Sequence, residues 1–300
     1  MQNLKDFILK HYAINATNIS PANRGYWGET WRIDASCGRY FVKLDYYPRH
    51  QKVFQNSLPV AEYLCSNGIA FIPRIIKTIK GELHSYFDSA VMGVFEWING
   101  KNVETNDTKA PEYQMICKIY PLTKPGFNIP IIEFSDSTAA RFYGLWGNIE
   151  DTQVKSMLEQ CRALFKHRAA RLAHFAALCQ KDTSDFFITH GDAGGNFFVG
   201  SNGRNYIVDW DEAQYAPPER DAWVMCHHEW AQELFNDTLR KHGIQYELRP
   251  ERLAFYCYHM YFLYLSEFVE DFISQGMVEN LTEYLRDSSI EEQIKYADKL

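Results

Sequence analysis

The sequence predicts an α+β fold in which a smaller, mainly β region precedes a larger, mainly α one. Three patterns predict it. Between residues 14 and 98, short apolar runs of strand length alternate with glycines and turn residues. Between residues 152 and 179, apolar side chains recur at helical spacing. After Pro218 the texture stays helical. With 300 residues, 46% hydrophobic and 15% aromatic, the chain has the composition of a globular protein and can bury a sizeable core. The division falls near residues 97–101, giving regions 1–97 and 98–300.

Residues 4–12 read as a short helix. Residues 14–44 read as extended pieces punctuated by Gly25, Gly28 and Gly38, ending in the strand Tyr40-Phe41-Val42-Lys43-Leu44. Residues 49–67 read as a helix stopped by Gly68, with a start near Ser57 as the alternative that puts Pro59 in the first turn. Strands are expected at 75–78, 82–87 and 90–98. A helix is expected at 113–120, a Pro-rich loop at 121–130, and one long amphipathic helix at 152–179.

Charge excludes some classes. There are 31 basic and 38 acidic residues, a net charge of −7, which does not suit wrapping nucleic acid. From Asn205 to Leu300 there are 19 acidic and 8 basic residues, against 19 and 23 before. That acidic half could attract cationic ligands. Seven cysteines without a CxxC pair suit reduced thiols in a cytoplasmic setting. Lys5, Asp6 and Lys10 argue against a secretory leader, and the most apolar stretch, 253–265, is too short to span a bilayer. No membrane partner is expected, and the oligomeric state is not legible.

The chemistry concentrates in Thr189-His190-Gly191-Asp192-Ala193-Gly194-Gly195-Asn196, an apolar run, Asn202-Gly203, and then Tyr206-Ile207-Val208-Asp209-Trp210-Asp211. Asn-Gly between apolar runs predicts a hairpin. A two-residue turn would set residue 199 opposite 206 and Asn196 opposite Asp209, with Cα atoms roughly 4.5–5.5 Å apart. Two carboxylates and a carboxamide at one end of a rigid hairpin are hard oxygen ligands suited to Mg²⁺. The plainer reading is a hairpin whose Asp and Asn only cap its ends.

These two segments resemble the aminoglycoside phosphotransferase and choline kinase family, nearest in look to its spectinomycin phosphotransferase branch. The resemblance covers nearly the whole chain and implies a two-lobed, protein-kinase-like fold. It implies that Asp192 is the catalytic carboxylate facing the acceptor hydroxyl, and that Asn196 and Asp209 hold Mg²⁺ on the phosphates of ATP. GTP is not separated from ATP by these residues. His190, Asp211 and Asp221 are implied as supports, with Asp221 in the segment Ala216-Pro217-Pro218-Glu219-Arg220-Asp221. Lys43 would grip the phosphates, Gly25 and Gly28 would lie in the covering turn of residues 24–30, and Phe95, Glu96, Trp97 and Ile98 would form the adenine-binding hinge. Phosphoryl transfer through a loose transition state needs mainly positioning and charge neutralisation.

Two departures stand out. Asn196 follows Asp192 by four residues, where the family more commonly has five. The helix after Lys43 also lacks the expected glutamate: Glu62 is the only acid between Asp45 and Gly68, and Gln55 or Asn56 would be partial substitutes. Glu267, Glu270 and Asp271 follow an aromatic helix and could receive an amine-bearing acceptor. The expected activity is ATP- and Mg²⁺-dependent O-phosphorylation of a small, hydroxylated, cationic molecule, first choice an aminoglycoside or aminocyclitol such as spectinomycin. Antibiotic resistance would be the biological setting. The rival enzyme is a housekeeping kinase for choline, homoserine or methylthioribose. A second class, a catalytically weak nucleotide-binding relative, is favoured by the two departures and opposed by the intact Lys43, Asp192, Asn196 and Asp209.

Overall fold

A computed structural model describes residues 2–22 and 28–300. The expected covering-turn residues 24–27, Gly25 among them, lie outside the described residues. The chain divides into two compact units that interleave along the sequence. One joins Met1–Ile131 to Phe187–Tyr215, the other Ile132–Phe186 to Ala216–Leu300.

The first unit opens with helix α1 (Gln2–Tyr12), which turns Leu4, Ile8 and Tyr12 inward at helical spacing. Strands β1 (Ala16–Pro21), β2 (Gly28–Ala35) and β3 (Gly38–Asp45) follow, then helix α2 (Pro48–Ser66) and strands β4 (Ser85–Phe87) and β5 (Ala90–Glu96). The five strands form one antiparallel sheet in the order β1-β2-β3-β5-β4. Ile33, Val42, Leu44, Met92 and Val94 pack with α1 in its core, each worth about 1.5–3 kcal/mol of burial.

Helix α2 starts at Pro48, where a proline costs no hydrogen bond, and runs through Pro59 rather than beginning near Ser57. Pro59 is exposed, while Phe54, Leu58, Ala61 and Leu64 hold the buried face. Tertiary packing therefore overrides the local penalty. The strand expected at 75–78 is only a bridge from Ile75 to Phe95.

Strand β6 (Gly100–Asn102) and helix α3 (Asn106–Cys117) come next. The helix begins seven residues before the expected 113, after Thr105, whose N–H donates to Thr108 Oγ1 at 3.2 Å. The unit is completed by β7 (Phe187–Thr189), β8 (Phe197–Gly200), β9 (Asn205–Ile207) and β10 (Gln214–Ala216). Strand β7 pairs with β10, and β6-β8-β9 form a small sheet.

The second unit is helical: α4 (Ser137–Gly147), α5 (Thr152–Gln160), α6 (Arg162–Cys179), α7 (Glu219–Ala222), α8 (Glu229–Lys241), α9 (Pro250–Gln275), α10 (Glu279–Arg286) and α11 (Glu291–Ala297). The single helix expected at 152–179 is two, broken at Cys161. No Gly or Pro marks that break, so the apolar period reads across it. Helix α9 is the axis of the unit. Pro250 fits its first turn, and Gly276, at φ 71°, ends it. Phe262 packs on Phe142 and Tyr258 stacks on Phe175. Among the described residues no helix is long and apolar enough to cross a membrane.

Candidate active site

The hairpin of β8 and β9 carries the site, but its register differs from expectation. Phe197 pairs with Ile207, Phe198 with Tyr206 and Val199 with Asn205. The loop has three residues, 201–203, because Gly203 adopts φ 74° and its N–H donates to Gly200 O at 2.9 Å. A three-residue loop slips the pairing by one. Val208 N–H, not Asp209, meets Asn196 O, at 3.1 Å. Asp209 then follows the strand in a left-handed conformation, φ 59°, which aims its carboxylate independently of the ladder.

That carboxylate meets Lys43. Lys43 Nζ donates to Asp209 Oδ1 at 2.9 Å and also to Asp211 Oδ2. Lys43 is buried in β3 opposite Gly93, where a Cβ would collide with Phe54. Burial opposes the lysine charge, but Asp211 and Asp209 outweigh it and hold its pKa above the ordinary lysine value. Burial likewise opposes the Asp209 charge, and Lys43 overcomes it and keeps that carboxyl below its ordinary range. Burial pushes the Asp211 carboxyl up to about 7.

The partner expected from α2 comes from elsewhere. Glu62 pairs with Lys77 at 2.6 Å, Gln55 donates to Tyr86 Oη, and Asn56 accepts from Asn128. Helix α2 instead presents Phe54, its ring centroid 5.5 Å from Lys43 Nζ, and His50, bonded to Asp45 and 3.6 Å from Glu212.

The loop of residues 190–196 forms a second cluster. Asn196 Nδ2 donates to Asp192 O at 2.9 Å and to Asp192 Oδ2 at 3.0 Å. Its amide nitrogen thus faces Asp192, and its carbonyl oxygen takes no part in these two bonds. His190 Nδ1 accepts from Asp192 N at 3.2 Å, and its Nε2 lies 2.9 Å from Val208 O, so the imidazole links the loop to the end of β9. Its ring packs on Trp210. Desolvation raises the Asp192 carboxyl above its ordinary value, helped by the charges of Asp209 and Glu104. Asn196 and Asp209 each carry oxygen donors of the kind Mg²⁺ takes.

Gly28 opens β2 opposite Asp45, and a Cβ there would overlap Leu44 O, so backbone approach alone requires glycine. At the expected hinge, Phe95 packs on Phe41 and Phe54, and Trp97 stacks under Arg32. Glu96 N–H donates to Arg74 O and Trp97 N–H to Arg39 O, while the Ile98 N–H makes no hydrogen bond among the described residues.

Asp221 is buried on α7 in the second unit. Glu267, Glu270 and Asp271 are half-buried on α9, and Glu270 is bound by Arg141 at 2.7 Å. Sequence reasoning missed His50, Asn102, Glu104 and Lys109. The last three reach the 190–196 loop from β6, the link after it and α3, and no local pattern marks them.

Residues 18–256 match the model of the phosphotransferase enzyme family. The chain belongs to the phosphotransferase enzyme family. Membership makes it a small-molecule kinase with a hydroxyl acceptor. No curated protein matches the chain. Its fold is that of kinase-like phosphotransferases of known structure. A spectinomycin phosphotransferase in complex with ADP and spectinomycin is 18% identical with TM-score 0.81, over 100% of this chain and 98% of that one. A choline kinase from Streptococcus pneumoniae is 15% identical with TM-score 0.65, over 100% and 99%. A microcompartment-associated aminopropanol kinase is 14% identical with TM-score 0.69, over 100% and 97%.

Proposed function

We propose that this phosphotransferase moves the γ-phosphoryl group of ATP, with Mg²⁺, onto a hydroxyl of a small cationic molecule, first choice an aminoglycoside or aminocyclitol such as spectinomycin. The observation that carries the reading is one compact unit holding Lys43 between Asp209 and Asp211, with Asp192 and Asn196 on the neighbouring loop. In this reading Asp192 orients the acceptor hydroxyl and receives its proton, and His190 holds the loop. Asn196 and Asp209 hold Mg²⁺, which when bound neutralises phosphate charge. On binding nucleotide, Lys43 exchanges part of its carboxylate contact for phosphate oxygens. Ile98 N–H is the hinge donor left for adenine, and Gly25 and Gly28 belong to the covering turn. Residues 1–97 serve as the nucleotide-covering part, and residues 98–300 carry the catalytic loop and the acceptor helices. There Glu267, Glu270 and Asp271 attract the amine, and Asp221 is a supporting residue. The ADP and spectinomycin held by the similarly folded enzyme support this choice of nucleotide and acceptor. The protein acts in the cytoplasm, where ATP and Mg²⁺ are supplied.

The test is coupled nucleotide turnover with ATP and Mg²⁺ over spectinomycin, several aminoglycosides, choline, homoserine and methylthioribose. One compound should stimulate turnover strongly. Asp192→Asn should lower kcat by about 10²–10⁴-fold while nucleotide affinity stays. Nucleotide binding without turnover, unchanged by Asp192→Asn, would instead support a binding protein.

A further inference from the structure

Glycine stands at both 194 and 195, and the two leave room for different neighbours. A Cβ on Gly195 would lie 2.8 Å from Asp192 Oδ1. A Cβ on Gly194 would lie 2.6 Å from Lys109 Nζ and 3.3 Å from Glu104 Oε1. An ammonium group from α3 thus rests against the backbone of the catalytic loop, two residues from Asp192. Lys109 is 2% exposed and Glu112 3%. Lys109 Nζ donates to Glu112 Oε2 at 3.0 Å and lies 3.7 Å from Glu104 Oε1. The same segment holds the loop twice more. Asn102 Nδ2 donates to Gly195 O, and Val103 N–H donates to Phe197 O at 2.9 Å.

A buried ion pair is poor value as a source of stability, since an apolar pair of similar volume often does as well. What it supplies is a defined position, because both charges must keep their partners. The short loop between Asp192 and Asn196 has no side chain beyond Ala193 to anchor it from within. Helix α3 anchors it from outside.

We propose that Lys109 is a positioning residue for phosphoryl transfer: its ammonium, held by Glu112, packs on Gly194 and fixes the loop that aims Asp192. Lys109 is too deeply buried to touch substrate and acts through the loop. The proposal rests on Asp192 being the carboxylate that receives the acceptor proton.

The test uses the full-length protein and has two readouts. Amide hydrogen exchange over residues 192–197, measured with MgADP present, reports the loop without needing turnover. The turnover assay separates kcat from KM for ATP. Lys109→Met should speed loop exchange by about tenfold or more and lower kcat by a similar factor. KM for ATP should stay within about twofold, and exchange in the five-stranded sheet should be unchanged. Gly194→Ala should do the same from the loop side, because the new Cβ displaces the ammonium. It also serves if Lys109→Met does not fold. The pair Lys109→Ala with Gly194→Ala should be no worse than Lys109→Ala alone, since both remove one contact. Loop exchange and kcat of wild type in Lys109→Met, or additive effects in the pair, would overturn the proposal. Full turnover in Asp192→Asn would instead overturn the assignment of Asp192, and the exchange result would still report the contact.

Discussion

Lys43 and His50 are charged groups withdrawn from water and kept charged by the carboxylates around them. His50 faces Asp45, Asp211 and Glu212, and although burial opposes its protonation, these acids raise its pKa to about 9. The folded value lies above the ordinary 6.5, so the stabilisation is complete below pH 6.5 and disappears as pH rises through about 9. Between pH 6.5 and 9.5 the protein should lose about 2–3 kcal/mol more unfolding free energy than His50→Gln loses. Urea unfolding at the two pH values measures the difference, and parallel curves for the two proteins would mean that His50 does not titrate there. Lys43 stands out only through the family resemblance, because a lone lysine late in an apolar strand reads by itself as a solvated edge residue. Its partners are not legible. A helix glutamate can be sought one element away, whereas Asp211 lies 168 positions along the chain, and only folding brings it to the lysine.

Among the elements, α2 shows how far packing overrides local preference. Pro59 in its interior lacks the N–H that would bond to Gln55 O, yet the helix continues because its buried face is continuous on both sides. Pro59→Ala supplies that N–H on an exposed face and should raise stability by roughly 1–3 kcal/mol, read from thermal or urea unfolding. An unchanged midpoint would show that the surrounding packing already compensates for the missing bond. The hairpin illustrates the opposite limit. Asn202-Gly203 announces a turn, but whether the loop has two residues or three depends on which residue takes the left-handed conformation, and composition does not separate the cases. One residue of slip moved Asn196 from Asp209 to Val208. Strand β6 was illegible for another reason: three exposed residues carry no alternation, and only pairing with β8 makes them a strand. The first turns of α3 carry Lys109 and Glu112, charged residues that ordinarily face solvent, whereas both are buried here and Lys109 lies against the 190–196 loop.

For the whole molecule, the uneven charge bears on function. An acidic stretch like the one from Asn205 onward can attract cations at long range, an effect that salt weakens, since the screening length falls from about 10 Å at 0.1 M to about 3 Å at 1 M. For the cationic acceptor proposed above, KM should therefore rise about five-fold between 0.05 and 0.5 M salt. A flat profile would locate recognition in close contacts alone. The interleaved units carry a further consequence, in the order of synthesis. A ribosome releases β3, with Lys43, long before Asp209 and Asp211 exist. At about 5–20 residues per second, that interval is roughly 10–30 s. Once residue 96 has been made the five-stranded sheet is complete in sequence, yet until Asp209 arrives it must leave its central lysine hydrated or carry it unpaired. The nascent sheet is therefore unsettled at its central lysine, and the arrival of residues 209 and 211 supplies the two carboxylates that pair it.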